Sequence, residues 1–89
     1  MPEKTVAINN ELGLHARAAA QFVRVSTQFE CDIFVSWRDI EVDGKSIMGV
    51  MMLAAPMGAE IKIRADGEDA QSAVEQLAAL VKTRFGEEK

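Results

Sequence analysis

Apolar and polar residues alternate from Thr5 to Asn9, with Val6 and Ile8 on one face, and this period of two predicts a first strand. Asn10 to Leu14 breaks the pattern as a connecting loop. From Ala16 to about Phe29 the residues Ala19, Phe22, Val23 and Ser26 recur every three or four positions, which predicts a helix. Its outer face carries Gln21, Arg24 and Gln28. Alternation returns from Cys31 to Trp37, where Ile33, Val35 and Trp37 share a face. The polar pair Arg38-Asp39 then turns the chain into a short third strand through Ile40 and Val42, forming a hairpin.

Asp43-Gly44-Lys45-Ser46 reads as a turn ending in a serine whose hydroxyl can accept from an open helical N–H. A second helix is therefore expected from Ile47 to about Ala54, stopped by Pro56 and Gly58. Glu60 to Ala65 alternates with Ile61, Ile63 and Ala65 inward. After Asp66-Gly67-Glu68-Asp69, the residues Ala70, Ala73, Val74, Leu77, Val81 and Phe85 form the stripe of a last helix, and Gly86 to Lys89 is expected to fray. The order is βαββαβα. Helices that are apolar on one side, with strands that are polar outside, define an α+β open-faced sandwich. We expect a four-stranded, mainly antiparallel sheet with three helices on one face.

Composition narrows this further. A chain of 89 residues, 48% of them hydrophobic, is long enough for one core and too short for two, so residues 1–89 are expected to form a single domain. Ten Lys and Arg against fourteen Asp and Glu leave a formal charge of -4, which disfavours nucleic acid and anionic membranes as partners. A local basic patch from Arg17, Arg24, Lys45 and Arg38 would still suit an acidic partner protein. Cys31 is alone and lies in an apolar strand, so it reads as a core residue in a reducing compartment. Met1-Pro2-Glu3-Lys4 leads into an alternating segment rather than a signal stretch, and no apolar run approaches membrane-spanning length. The expected location is the cytoplasm, without membrane insertion.

The one histidine is where the chemistry concentrates. His15 stands in Gly13-Leu14-His15-Ala16-Arg17-Ala18-Ala19-Ala20, where a glycine turn runs straight into helix formers. A lone histidine in a small protein is more often structural than catalytic, but here Gly13 permits a tight turn and Leu14 can anchor it in the core. One histidine has no second ligand at metal-site spacing, so no metal is expected. Nor does a local nucleophile with an orienting carboxylate suggest acyl transfer. Phosphoryl acceptance asks less. It needs one imidazole nitrogen able to attack in line and donors for the phosphate oxygens, which Arg17 and the backbone N–H groups of Ala16, Arg17 and Ala18 can supply.

Gly13-Leu14-His15-Ala16-Arg17 and Lys45-Ser46-Ile47-Met48-Gly49-Val50-Met51 together resemble the two signature stretches of the HPr phosphocarrier family of the bacterial phosphoenolpyruvate-dependent sugar phosphotransferase system. Their separation and the element order agree with that family over nearly the whole chain. The resemblance implies that His15 is phosphorylated on Nδ1 by enzyme I and hands the group to enzyme IIA domains of sugar transporters, with Arg17 contacting the phosphate. It implies no cofactor and a monomer, a carrier rather than a stand-alone enzyme. Ala18 departs from the family's usual proline. Losing proline loosens the first helical turn and adds one N–H, which leaves a nitrogen-related or specialised branch open beside the sugar system.

Ser46 has two readings, a plain helix cap or, by the resemblance, the serine that HPr kinase/phosphorylase modifies in lineages possessing that enzyme, with a transcriptional regulator as a further partner. A phosphate there would lie beside Lys45 and place negative charge on the docking face. The helix Ile47 to Leu53 is apolar almost all round. Val50 and Leu53 can face the sheet, leaving Ile47, Met48 and Met51 outside, with Ala16 and Ala20 as a flat margin for docking several proteins. Two other readings stand beside the carrier. One is a purely regulatory paralogue acting through protein–protein interaction. The other is a small RNA-binding module, which would want a basic sheet face with exposed aromatics where Phe34 and Trp37 alternate.

Overall fold

The computed structural model describes residues 1–89. Four strands, β1 (Glu3–Ala7), β2 (Asp32–Trp37), β3 (Ile40–Asp43) and β4 (Glu60–Asp66), make one sheet in the order β1-β4-β2-β3, and every neighbouring pair is antiparallel. Three helices, α1 (Ala16–Ser26), α2 (Ile47–Leu53) and α3 (Ala70–Lys82), pack on one face. The alternation read from the sequence sets that face. Val6, Ile33, Val35, Ile61, Ile63 and Ala65 are all buried beneath the helices, whereas their strand neighbours Thr5, Lys62 and Asp66 are exposed. Ala19, Phe22, Val23 and Ser26 of α1 and Ala73, Val74, Leu77 and Val81 of α3 complete the core from above. Full burial of a side chain such as Phe22 contributes about 1.5–3 kcal/mol against an exposed reference.

Element ends differ from the periodicity where hydrogen bonding intervenes. The first strand runs from Glu3 to Ala7 rather than Thr5 to Asn9, because β4 pairs with it from Glu3 onward. Ile8 still points inward, and its own N–H and C=O are taken by Ala59 and Gly58. Helix α1 stops at Ser26, not near Phe29. Ser26 Oγ donates back to Phe22 O and Thr27 Oγ1 to Arg24 O, side-chain competition of the kind that ends helices. Helix α2 is closed earlier than Pro56, by Ala54 in the left-handed region at φ 51°.

The largest departure is at the C-terminus. Phe85 is not on the stripe of α3, which ends at Lys82. Arg84, Phe85 and Gly86 have φ of 59°, 55° and 81°, so the chain doubles back instead of continuing or fraying. Left-handed backbone costs non-glycine residues about 1–2 kcal/mol each. Phe85, only 2% exposed, offsets that by joining the core. Glu87 and Lys89 are then bonded to the loop that precedes α1.

Candidate functional site

The loop between β1 and α1 is held at both of its sides. Gly13 has φ 68°, and a Cβ there would lie 2.5 Å from Ala55 O and 2.9 Å from Pro56 Cα, so only glycine lets the two loops approach. Leu14 N–H donates to Ala55 O at 2.9 Å while the Leu14 side chain is buried, as its position after Gly13 suggested. These two contacts determine where His15 emerges. His15 is the N-cap of α1, with extended backbone, and its C=O accepts the first helical bond, from Ala19. Its side chain does not cap the helix.

Above it, the N–H groups of Ala16, Arg17 and Ala18 precede that first bond and have no backbone acceptor. Ala16 and Arg17 are exposed, but Ala18 is fully buried because the helical turn aims it at the sheet. The open cradle is thus built by Ala16 and Arg17, with the Ala18 N–H beneath the surface. Arg17 makes no ion pair or side-chain hydrogen bond and lines the same shallow cleft as His15. Gln21, one turn further along α1, lines it as well.

The remaining wall is the returning C-terminal segment. Glu87 Oε2 lies 2.6 Å from His15 Nε2, with the two side chains 16% and 27% exposed. Asn10, fully buried, donates through Nδ2 to Glu87 Oε1 at 3.0 Å and to Gly13 O at 2.9 Å. Glu11 N–H donates to Lys89 O at 2.7 Å, and Asn9 Nδ2 to Lys82 O at 2.9 Å. Two consecutive loop residues, Asn10 and Glu11, therefore stitch the tail beside the imidazole, while Asn9 ties the same loop to the end of α3. Sequence reasoning missed Glu87. The available signal was Phe85-Gly86, an aromatic followed by a chain-reversing glycine just past the end of a helix.

Ser46 caps α2, its Oγ accepting from Gly49 N–H at 3.0 Å. Lys45 is not turned toward Ser46. Its Nζ donates to Phe29 O at 2.7 Å, so its charge is already engaged elsewhere. Of the other cations expected in a basic patch, Arg24 is exposed, while Arg38 stacks on Trp37 at 4.4 Å. Val50 and Leu53 of α2 are buried, and Ile47, Met48 and Met51 are 44%, 72% and 41% exposed. Met52 is as exposed as Met48 and extends this apolar side. Ala16 and Ala20 are exposed on α1, which packs beside α2. On the outer sheet face, Phe34 is covered by the Arg64 guanidinium at 4.8 Å, whose Nη2 donates to both carboxylate oxygens of Glu41. That spot presents neither a bare ring nor an unpaired cation. No helix is long and apolar enough to cross a membrane, and no cluster of metal-ligating side chains occurs.

An open-faced sandwich with a lone histidine at the N-terminus of α1 and a serine-capped apolar α2 beside it has the architecture of a small phosphocarrier. Residues 2–83 match the family model described as the PTS HPr component phosphorylation site. The phosphocarrier protein HPr of Xylella fastidiosa is 44% identical over 88 residues, covering 99% of each chain. The HPr-like protein Crh of Bacillus subtilis is 43% identical over 81 residues, covering 91% of this chain and 95% of its own. Among solved structures, HPr from Thermoanaerobacter tengcongensis superposes with a TM-score of 0.95 at 42% identity over the full length of both chains. The chain belongs to the HPr phosphocarrier family of the phosphotransferase system.

Proposed function

We propose that this protein is a reversible phosphoryl carrier, and that residues 1–89 act as one cytoplasmic, monomeric domain without cofactor. His15 Nδ1 attacks phosphorus held on a donor histidine of enzyme I. The N–P bond of the donor breaks as the Nδ1–P bond forms, and an enzyme IIA domain later takes the group by the same displacement. Arg17 and the N–H groups of Ala16 and Arg17 offset charge on the phosphate oxygens without trapping them. The exposed apolar side of α2, with Ala16 and Ala20, is the docking surface for both partners, and Ser46 is the site where phosphorylation would regulate docking.

One observation carries this reading: the only histidine sits at the helix N-terminus with Nδ1 free of any hydrogen bond, next to unpartnered N–H groups and an unpaired guanidinium. Intact mass after incubation with phosphoenolpyruvate and a bacterial enzyme I tests it. One acid-labile phosphate on the wild type and none on His15→Ala, with both proteins folded by circular dichroism, is the expected result. A wild type that takes no phosphate from an enzyme I that charges a control carrier would overturn it.

A further inference from the structure

The C-terminal segment, expected to fray, is instead bonded at Asn10 and Glu11 and delivers a carboxylate to the imidazole, a contact for which the carrier function alone gives no reason. A neutral imidazole has one N–H donor and one lone-pair acceptor, and the partner of one nitrogen decides which is which. An ionised carboxylate only accepts. At 2.6 Å from Glu87 Oε2, Nε2 must therefore carry the hydrogen, and the lone pair is left on Nδ1.

Building on the carrier reading, we propose that Glu87 is a positioning residue for phosphoryl transfer: it holds the His15 ring in the Nε2–H form and in one orientation, presenting Nδ1 as the nucleophile. The carboxylate is itself located. Its second oxygen accepts from Asn10, a buried side chain that also ties down Gly13 O, so the ring, the turn before it and the tail form one bonded unit. Phe85 anchors the segment in the core two residues earlier, and Lys89 O closes it onto Glu11 N–H. A group held by a side chain that is itself fixed by buried contacts loses little freedom on reaction, which is how a supporting partner speeds a displacement.

The proton balance is simple. As Nδ1–P forms, the ring gains positive character, Nε2 keeps its hydrogen, and the carboxylate stabilises that charge from the opposite edge of the ring to the phosphate. No proton leaves. On return transfer the Nδ1 lone pair is restored with Nε2–H still in place, so the same contact serves both directions.

The test compares the wild type with Glu87→Ala and Glu87→Gln as full-length proteins. Imidazole nitrogen NMR reads the tautomer and the protected Nε2–H resonance. Steady-state phosphorylation by enzyme I reads kcat and KM for the carrier. Expected for Glu87→Ala is loss of the protected resonance, a mixed tautomer population and a kcat lower by about tenfold, with KM little changed. Glu87→Gln has one acceptor oxygen where Asn10 Nδ2 and His15 Nε2 each need one. With that oxygen kept by Asn10, its NH2 faces Nε2, so the protected resonance should be lost, the ring should shift to the Nδ1–H form and kcat should fall at least as far as in Glu87→Ala. The proposal is overturned if Glu87→Ala keeps the resonance or keeps wild-type kcat, or if Glu87→Gln shifts the tautomer with no fall in kcat. A wild type that takes no phosphate fails the carrier reading itself, whereas normal charging of wild type and Glu87→Ala alike rejects Glu87 alone.

Discussion

The Leu14 N–H donates to Ala55 O at 2.9 Å, pinning the backbone just before His15 to the backbone that leaves α2. Gly13 makes this approach feasible, since any Cβ at that position would meet the same carbonyl oxygen at 2.5 Å. The histidine stretch is thus joined by backbone contact to the segment that follows the serine-capped α2, as well as by the shared surface of α1 and α2.

Gly13→Ala should therefore be costly twice over, through positive φ and through the clash. We expect a loss of about 1–3 kcal/mol in urea unfolding. Phosphate acceptance should fall along with it, because His15 follows directly on the displaced turn. A variant as stable as the wild type would show that the loop contact is not constraining.

For Arg17 the expectation is kinetic. The guanidinium has no partner to lose, so Arg17→Ala should leave thermal stability within about 0.5 kcal/mol, the usual range for such surface changes. Phosphoryl transfer should slow by roughly a hundredfold, the lower end of what a lost charge-stabilising donor costs. Single-turnover transfer from phosphorylated enzyme I checks this in the forward direction, and transfer back checks the reverse.

Ser46 can be separated into its two roles. Ser46→Ala removes the acceptor for Gly49 N–H and should cost about 1 kcal/mol of stability with little effect on docking. Ser46→Asp keeps an acceptor at the cap and adds a charge that Lys45, turned to Phe29 O, does not neutralise. It should retain stability and weaken enzyme I binding by about tenfold, or about 1.4 kcal/mol, in titration calorimetry. Equal affinities for the two variants would argue against charge as the regulatory signal.

Asp69 joins the start of α3 to the start of β2, its carboxylate accepting from Glu30 N–H at 2.9 Å and Cys31 N–H at 3.0 Å. The Glu30 bond foremost, and the Cys31 thiol next, hold its pKa below the ordinary value of 3.8. Because the folded value is the lower one, this contribution is present above the ordinary Asp value and is lost as pH falls through the folded value. Asp69→Asn should lower the urea midpoint at neutral pH and show a smaller further loss across that acid window. Burial, and then Asp69, pushes the Cys31 thiol up to about 11, so a disulfide reagent at mildly alkaline pH should label it only after unfolding.

Much of this protein was legible in its sequence, for a physical reason. Strand and helix periods are local, so Val6, Ile33, Val35, Ile61, Ile63 and the α1 positions Ala19, Phe22 and Val23 could be assigned inward from spacing alone, and all are buried. The Ser46 cap is equally local, spanning only three residues to Gly49. The position of His15 at the start of α1 followed from Gly13 and the helix formers after it. Tertiary structure decided the rest. Which side of α1 would bury Ala18, where Lys45 would spend its charge, and above all the return of Glu87 to His15 depend on contacts between distant parts of the chain. Residues 15 and 87 are 72 positions apart, and no periodicity links them. Only the burial of Phe85, which turns the chain back over the core, brings that carboxylate to the ring.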